Sequence, residues 1–249
     1  MHAVILVKRT LLLFYGPFAF LFVALAPVFC SRKKGFRGWY WRVARRLIKV
    51  LLDALSIRVE IDDESRARLA DTSGPLIVAN HKSHLDGLAL VSVTPDSRHI
   101  TFGAKIELTR IPFFRRGFAG AGILIVDRMA GKSALQSLIR EYQEADPRVS
   151  LVLFPEGTRV NERGLGKFKA GAVAIAQTLG KNIQPVCIFG TMDLMPRDKM
   201  IPKAGTIRVR VLDDFAISRE LPVGDQLPKL QSYMSDRYAE LEMRLNAEP

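Results

Sequence analysis

The chain divides by its pattern of apolar and polar positions into an uncharged front, a basic amphipathic stretch and an alternating body. From Thr10 to Ser31 the run TLLLFYGPFAFLFVALAPVFCS carries no charge. About 20 such residues cross a bilayer core, so the segment is long enough to span. Gly16-Pro17 and Pro27 also let it bend and re-enter one leaflet. A cleaved signal would cut after Ala24-Leu25-Ala26, where Pro27 follows, and the length of the run favours an anchor. In GWYWRVARRLIKVLLDAL, Val43, Leu47, Val50, Leu51 and Leu55 recur at helical spacing with Arg42, Arg45, Arg46, Lys49 and Asp53 between them. That pattern predicts an amphipathic helix.

Beyond Leu55, strand-like runs fall at 57–61, 75–79, 99–104, 122–126, 149–154, 183–189 and 206–212. Helical patterns fall at 83–93, 132–145, 170–179 and 225–246. Several strand runs are continuously apolar, as in strands covered on both faces. The expected fold is therefore α/β, a mostly parallel sheet flanked by helices, preceded by N-terminal membrane-associated helices. The expected division is 1–55, an anchor with a basic interfacial helix, and 56–249, the folded domain.

Charge sharpens the front end. The net charge is +12, and eight bases (Arg32, Lys33, Lys34, Arg37, Arg42, Arg45, Arg46, Lys49) lie between Arg32 and Lys49 with no acid. They adjoin the apolar run and surround Trp39, Tyr40 and Trp41, an aromatic trio suited to a headgroup zone. This arrangement favours an anionic lipid surface over nucleic acid, which would call for a basic stripe on the folded domain. The alternative is an ordinary surface helix packed on the domain. The bases on either side of the apolar run place the following domain on the cytoplasmic face. The two cysteines, Cys30 and Cys187, have no CxxC partner and form no zinc ribbon.

Candidate chemistry concentrates in IVANHKSHLDGLAL, residues 77–90. His81, His84 and Asp86 offer metal ligands, but the spacing misses the HExxH pattern. Ser83 and Asp86 fit a capping box that opens a helix. With the helix beginning between His81 and Asp86, the preceding loop can also fold the imidazole onto the carboxylate. Asp86 would then orient a general base. At 154–159, FPEGTR follows an apolar strand. Pro155 and Gly157 make a turn, Glu156 can hold hydroxyls, and Arg159 can grip a phosphate with its fork of donors.

Asn80-His81 with Asp86, and Phe154 to Arg159, resemble the NHxxxxD and FPEGTR motifs of the glycerolipid acyltransferase family, in its bacterial 1-acylglycerol-3-phosphate branch. Gly122 to Arg128 is similar to its G-x-x-x-I-x-R segment, Ile183 to Val186 to its apolar strand with proline, and AKIELTRIPFF at 104–114 to its AKxEL segment. Val160 and Gln184 depart from the usual pattern. The resemblance implies that 56–249 is the catalytic domain of an O-acyltransferase forming phosphatidic acid. In that role His81 takes a proton from the sn-2 hydroxyl of the lysophospholipid, and the oxygen attacks an acyl thioester of CoA or acyl carrier protein. Asp86 orients His81. Lys105, Arg128 and Arg159 clamp the phosphate, Glu156 holds the glycerol end, and the turn with Gly157 and Thr158 completes the substrate site. No metal or cofactor is implied. Related acceptors are glycerol-3-phosphate, another lysophospholipid or lyso-ornithine lipid, and the rival reaction of the same dyad is thioester hydrolysis at a membrane.

Overall fold

The computed structural model describes residues 15, 22, 25–28, 36–71, 76–126, 132–144, 149–199 and 201–247. Its strands are β1 (Ile57–Ile61), β2 (Leu76–Ala79), β3 (His99–Lys105), β4 (Leu124–Val126), β5 (Val149–Leu153), β6 (Ile183–Phe189) and β7 (Gly205–Val211). They form one sheet in the order β1-β7-β6-β2-β5-β3-β4. Every neighbouring pair is parallel except β6 and β7. The mostly parallel α/β sheet expected from the sequence is present, and β7 reverses direction next to the edge strand β1.

Burial explains the order. β2 and β6 are buried at every position and sit in the middle, as strands covered on both faces should. Side chains alternate across the pleat. Ile77 and Ala79 of β2 enter one core with α1 (Phe36–Ala54) and α3 (Leu85–Val93). Leu76 and Val78 enter the opposite core with α5 (Lys132–Gln143), α6 (Gly171–Leu179) and α8 (Val223–Ala247). The remaining helices, α2 (Asp63–Ala70), α4 (Phe114–Ala121) and the short α7 (Thr191–Leu194), fill connections. Three connections leave the carboxyl ends of β2, β5 and β3 side by side, and there the motif residues gather.

The front end differs from expectation. Of the uncharged run, only Tyr15, Phe22 and residues 25–28 are described, each of them helical. Among the described residues no helix is long and apolar enough to cross a membrane. The amphipathic helix exists as α1, but its apolar face packs on the domain. Tyr40, Trp41, Ala44 and Leu52 are buried in the same core as β1 and β2. The Trp41 indole donates to the Ala121 carbonyl at 3.0 Å, and buried Arg45 pairs with Asp96. Of the aromatic trio only Trp39 is exposed. α1 thus packs in one core with β1, β2 and α3. It offers Trp39, Arg42, Arg46, Lys49, Val50 and Asp53 to solvent.

Candidate active site

The site begins where β2 ends. Asn80 is completely buried, and its side chain continues the ladder to β6. Its amide donates to the Ile188 carbonyl at 2.9 Å and its oxygen accepts from the Ile188 N–H at 2.7 Å. That lock fixes the exit direction of the chain. His81 follows on the loop, with its carbonyl accepting from Val160 N–H at 2.9 Å.

His81 and Asp86 meet as the sequence reading required. The Nδ1 to Oδ2 distance is 2.8 Å. Asp86 is wholly buried, and Oδ2 also accepts from the N–H groups of Lys82 at 2.7 Å and Ser83 at 2.8 Å. Oδ1 accepts from the Thr191 hydroxyl at 2.6 Å. An ionised carboxylate has acceptors only, and its other partners here are all donors. His81 Nδ1 therefore carries the proton, and Nε2 is left with a lone pair. The imidazole stacks on Phe154, with ring centroids 4.1 Å apart and planes 18° apart. This fixes the ring's tilt, while 20% of the side chain stays open.

The capping box is half formed. Asp86 reaches back to Ser83 N–H, while the Ser83 hydroxyl donates to the Met195 carbonyl at 2.7 Å and accepts from Leu85 N–H at 3.3 Å instead of from Asp86 N–H. The N-cap residue of α3 is His84, without a side-chain cap bond. His84 is exposed, and burial of part of its ring, then the Arg159 and His81 charges, push its pKa below the ordinary imidazole value. Among the described residues no carboxylate is hydrogen-bonded to its ring. The metal reading of the stretch loses its carboxylate ligand, because the Asp86 oxygens are filled by donors.

Glu156, expected to hold the glycerol end, is buried under the loop. Oε2 accepts from His81 N–H at 2.7 Å and Oε1 from Gly166 N–H at 3.2 Å. Burial raises its pKa, opposed by those two amides and by the Lys82 and His81 charges. Buried Lys82 sends its ammonium to the carbonyls of Glu162 and Gly164. Glu156 and Lys82 thus tie the 160–166 loop to the backbone beside the dyad. A Cβ on Gly166 would lie 2.5 Å from Val160 Cγ2 and 3.2 Å from Glu156 Cγ, so glycine there lets the loop close over the carboxylate.

A test follows from this geometry. Both Glu156 oxygens accept from N–H groups, so the amide of Glu156→Gln must point its NH₂ at one of them. Leaving a buried donor unsatisfied costs about 1–3 kcal/mol. The variant should unfold at lower denaturant concentration and lose kcat, with acceptor KM little changed. A raised acceptor KM at unchanged stability would restore the role of holding the glycerol end.

Gly157 adopts φ +72°, a left-handed turn that suits glycine. Its N–H donates to the Phe154 carbonyl at 3.0 Å and so serves the turn. Thr158 is exposed. The Arg159 guanidinium reaches the Arg197 carbonyl at 3.4 Å, and its charge is felt at His84. Of Lys105 only the backbone is described, at the carboxyl end of β3 on the same edge. Arg128 lies outside the described residues. Spacing did not reveal Lys82, Thr191, Gly166 or the Phe154 stack. Thr191 alone had a signal, since it follows the carboxyl end of β6, where sites form.

Phe154 also lines a cavity of about 460 Å³ between strands β3 to β5 and helices α5 and α6. Its walls include Phe102, Leu135, Leu138, Val152 and Ile175, and Gly157 and Lys169 stand at its polar end. This size suits a small-molecule or single-chain ligand. One aromatic ring separates it from His81.

Fold and dyad thus describe an α/β protein equipped to remove a proton beside an apolar cavity. Residues 56–189 match the family described as Acyltransferase. The chain belongs to that family, as the motifs implied. A probable 1-acyl-sn-glycerol-3-phosphate acyltransferase of Mycoplasma pneumoniae is 33% identical over 168 residues, 66% of this chain and 62% of its own length. The chain therefore spans less than two-thirds of that relative. The 1-acyl-sn-glycerol-3-phosphate acyltransferase of Helicobacter pylori is 32% identical over 180 residues, 71% of this chain and 73% of its own. The crystal structure of the 1-acyl-sn-glycerophosphate (LPA) acyltransferase of Thermotoga maritima shares the fold, with TM-score 0.71 over 94% of this chain and 97% of that one at 21% identity.

Proposed function

We propose that this protein is an O-acyltransferase that moves an acyl chain from a thioester of CoA or acyl carrier protein to the sn-2 hydroxyl of 1-acyl-sn-glycerol-3-phosphate, giving phosphatidic acid. The observation that carries the reading is the His81 imidazole, oriented by Asp86 and stacked one ring from an apolar cavity. Nε2 takes the proton as the hydroxyl oxygen attacks the thioester carbonyl. When the C–S bond breaks, the imidazolium returns that proton to the leaving thiolate. The cavity fits an acyl chain. Arg159, at the mouth of the site, is the phosphate clamp, with Lys105 and Arg128 as further clamp residues.

The acceptor is a lipid, so the enzyme must work at a membrane. The uncharged run at 10–31 and the exposed Arg42, Arg46 and Lys49 favour attachment to the anionic cytoplasmic face. The decisive experiment is an acyl-transfer assay on the purified full chain with both donors and a panel of acceptors. Fastest transfer to 1-acyl-sn-glycerol-3-phosphate is expected. Thioester cleavage that ignores every acceptor would make the protein a hydrolase.

Arg159→Lys probes the clamp. A planar fork grips phosphate in two places, whereas lysine offers a point charge. Losing one charge-assisted hydrogen bond of ~1.5 kcal/mol raises acceptor KM about tenfold, with donor KM near normal. A rise confined to donor KM would overturn the assignment.

A further inference from the structure

Nine large hydrophobic side chains are exposed among the described residues, and four of them come from one short segment: Ile106, Leu108, Ile111 and Phe113. The segment leaves the carboxyl end of β3 as a single 3-10 turn, Ile106–Arg110, passes Pro112 and enters α4. It is firmly mounted. Gly117, Gly120 and Ala121 of α4 are buried, and Ala121 accepts the hydrogen bond from Trp41 of α1. Its tip is the opposite. Phe113 sits at φ +69° and is 62% exposed. A bulky residue in the left-handed region is an outlier that surrounding structure must enforce. Here that outlier holds a phenyl ring out in water.

The charge around the tip is one-sided. Arg110, Arg115 and Arg116 are exposed, and Glu107 is the only acid from 106 to 116. On the adjoining α1, Trp39 and Arg42 face solvent as well. Apolar knobs among arginines match the layering of an anionic leaflet, with acyl chains below and phosphates above. The arginines alone would also suit an acidic protein. The exposed aliphatic and aromatic area decides for lipid.

We infer that residues 106–116 form a membrane-docking segment, in which Ile111 and Phe113 enter the acyl boundary of an anionic leaflet while Arg110, Arg115 and Arg116 meet its phosphates. The segment starts at the sheet edge that carries His81, so docking turns the catalytic edge toward the leaflet that holds the acceptor. The inference rests on the reading that the acceptor is a membrane lipid.

The test uses the full chain with Cys30→Ser, since Cys187 is buried. A nitroxide is attached at Phe113→Cys or, as control, at Ser97→Cys, exposed at the other end of β3. On phosphatidylcholine–phosphatidylglycerol vesicles the label at 113 should lose contact with an aqueous nickel relaxant and gain contact with oxygen. The label at 97 should not change. This measurement needs no turnover, so it can fail while the acyl-transfer reading stands. Equal nickel access at 113 and 97 overturns the inference. So does shielding of 113 without vesicles, whether by acyl carrier protein or by a second copy of the chain. In parallel, Ile111→Asp with Phe113→Asp should lower kcat/KM about tenfold or more for acceptor embedded in those vesicles. Turnover of a short-chain acceptor dissolved as monomers should persist. An equal loss on both acceptors would mean damage to the fold or the chemistry, and the docking role would fall.

Discussion

His81→Ala is expected to lower kcat by ~10²–10⁴-fold or more, the usual contribution of a positioned general base, while acceptor KM stays nearly constant. The alanine removes the only ring nitrogen that Asp86 orients. It leaves the His81 backbone bonds to Glu156 and Val160 in place, so the loop keeps its path. His84→Ala is the matched control. His84 is exposed, caps α3 without a side-chain bond and has no hydrogen-bonded carboxylate among the described residues, so most activity should survive its loss. Steady-state kinetics on both variants, with circular dichroism to verify folding, decide the matter. A His84→Ala enzyme as inactive as His81→Ala, and rescued by zinc, would return the stretch to metal chemistry.

The strands and the dyad were legible in the sequence for different reasons. Continuous apolar runs such as ILIV and VSLVLF mark strands covered on both faces, and β6 begins and ends where its run does. The dyad was legible because a helix starting between His81 and Asp86 leaves one residue on a loop and the other in the first turn. Periodicity shows that a helix has an apolar face but not what that face meets. Tyr40 and Trp41 therefore read as a membrane belt and turned out to be core. The surroundings of Glu156 were hidden for a related reason. Its place in a turn is visible in FPEGTR, but the direction of its side chain depends on Gly166, ten residues away. The antiparallel pairing of β7 with β6 had no local signal either, because strand direction is decided by connection and packing.

Asp86→Asn is expected to be milder than His81→Ala, and the reason lies in the bonds around each oxygen. The sequence suggests that an amide would spoil the histidine tautomer. In the structure Oδ2 accepts from three N–H donors, His81 Nδ1, Lys82 N and Ser83 N. The two backbone donors force the asparagine oxygen into that position. Its NH₂ then faces Thr191, whose hydroxyl can turn and accept in place of donating. The tautomer survives, and the lost feature is the negative charge that steadies the imidazolium formed during transfer. A charge-assisted hydrogen bond is worth ~1.5–3 kcal/mol and a neutral one ~0.5–1.5 kcal/mol, so the exchange removes ~1–1.5 kcal/mol and kcat should fall about 5- to 13-fold. Asp86→Ala lacks any acceptor for the three donors and should also lower the unfolding midpoint. Kinetics and thermal melts on the two variants separate charge from architecture. If folded Asp86→Asn is as inactive as His81→Ala, the amide has flipped and the backbone donors do not hold the orientation argued for them.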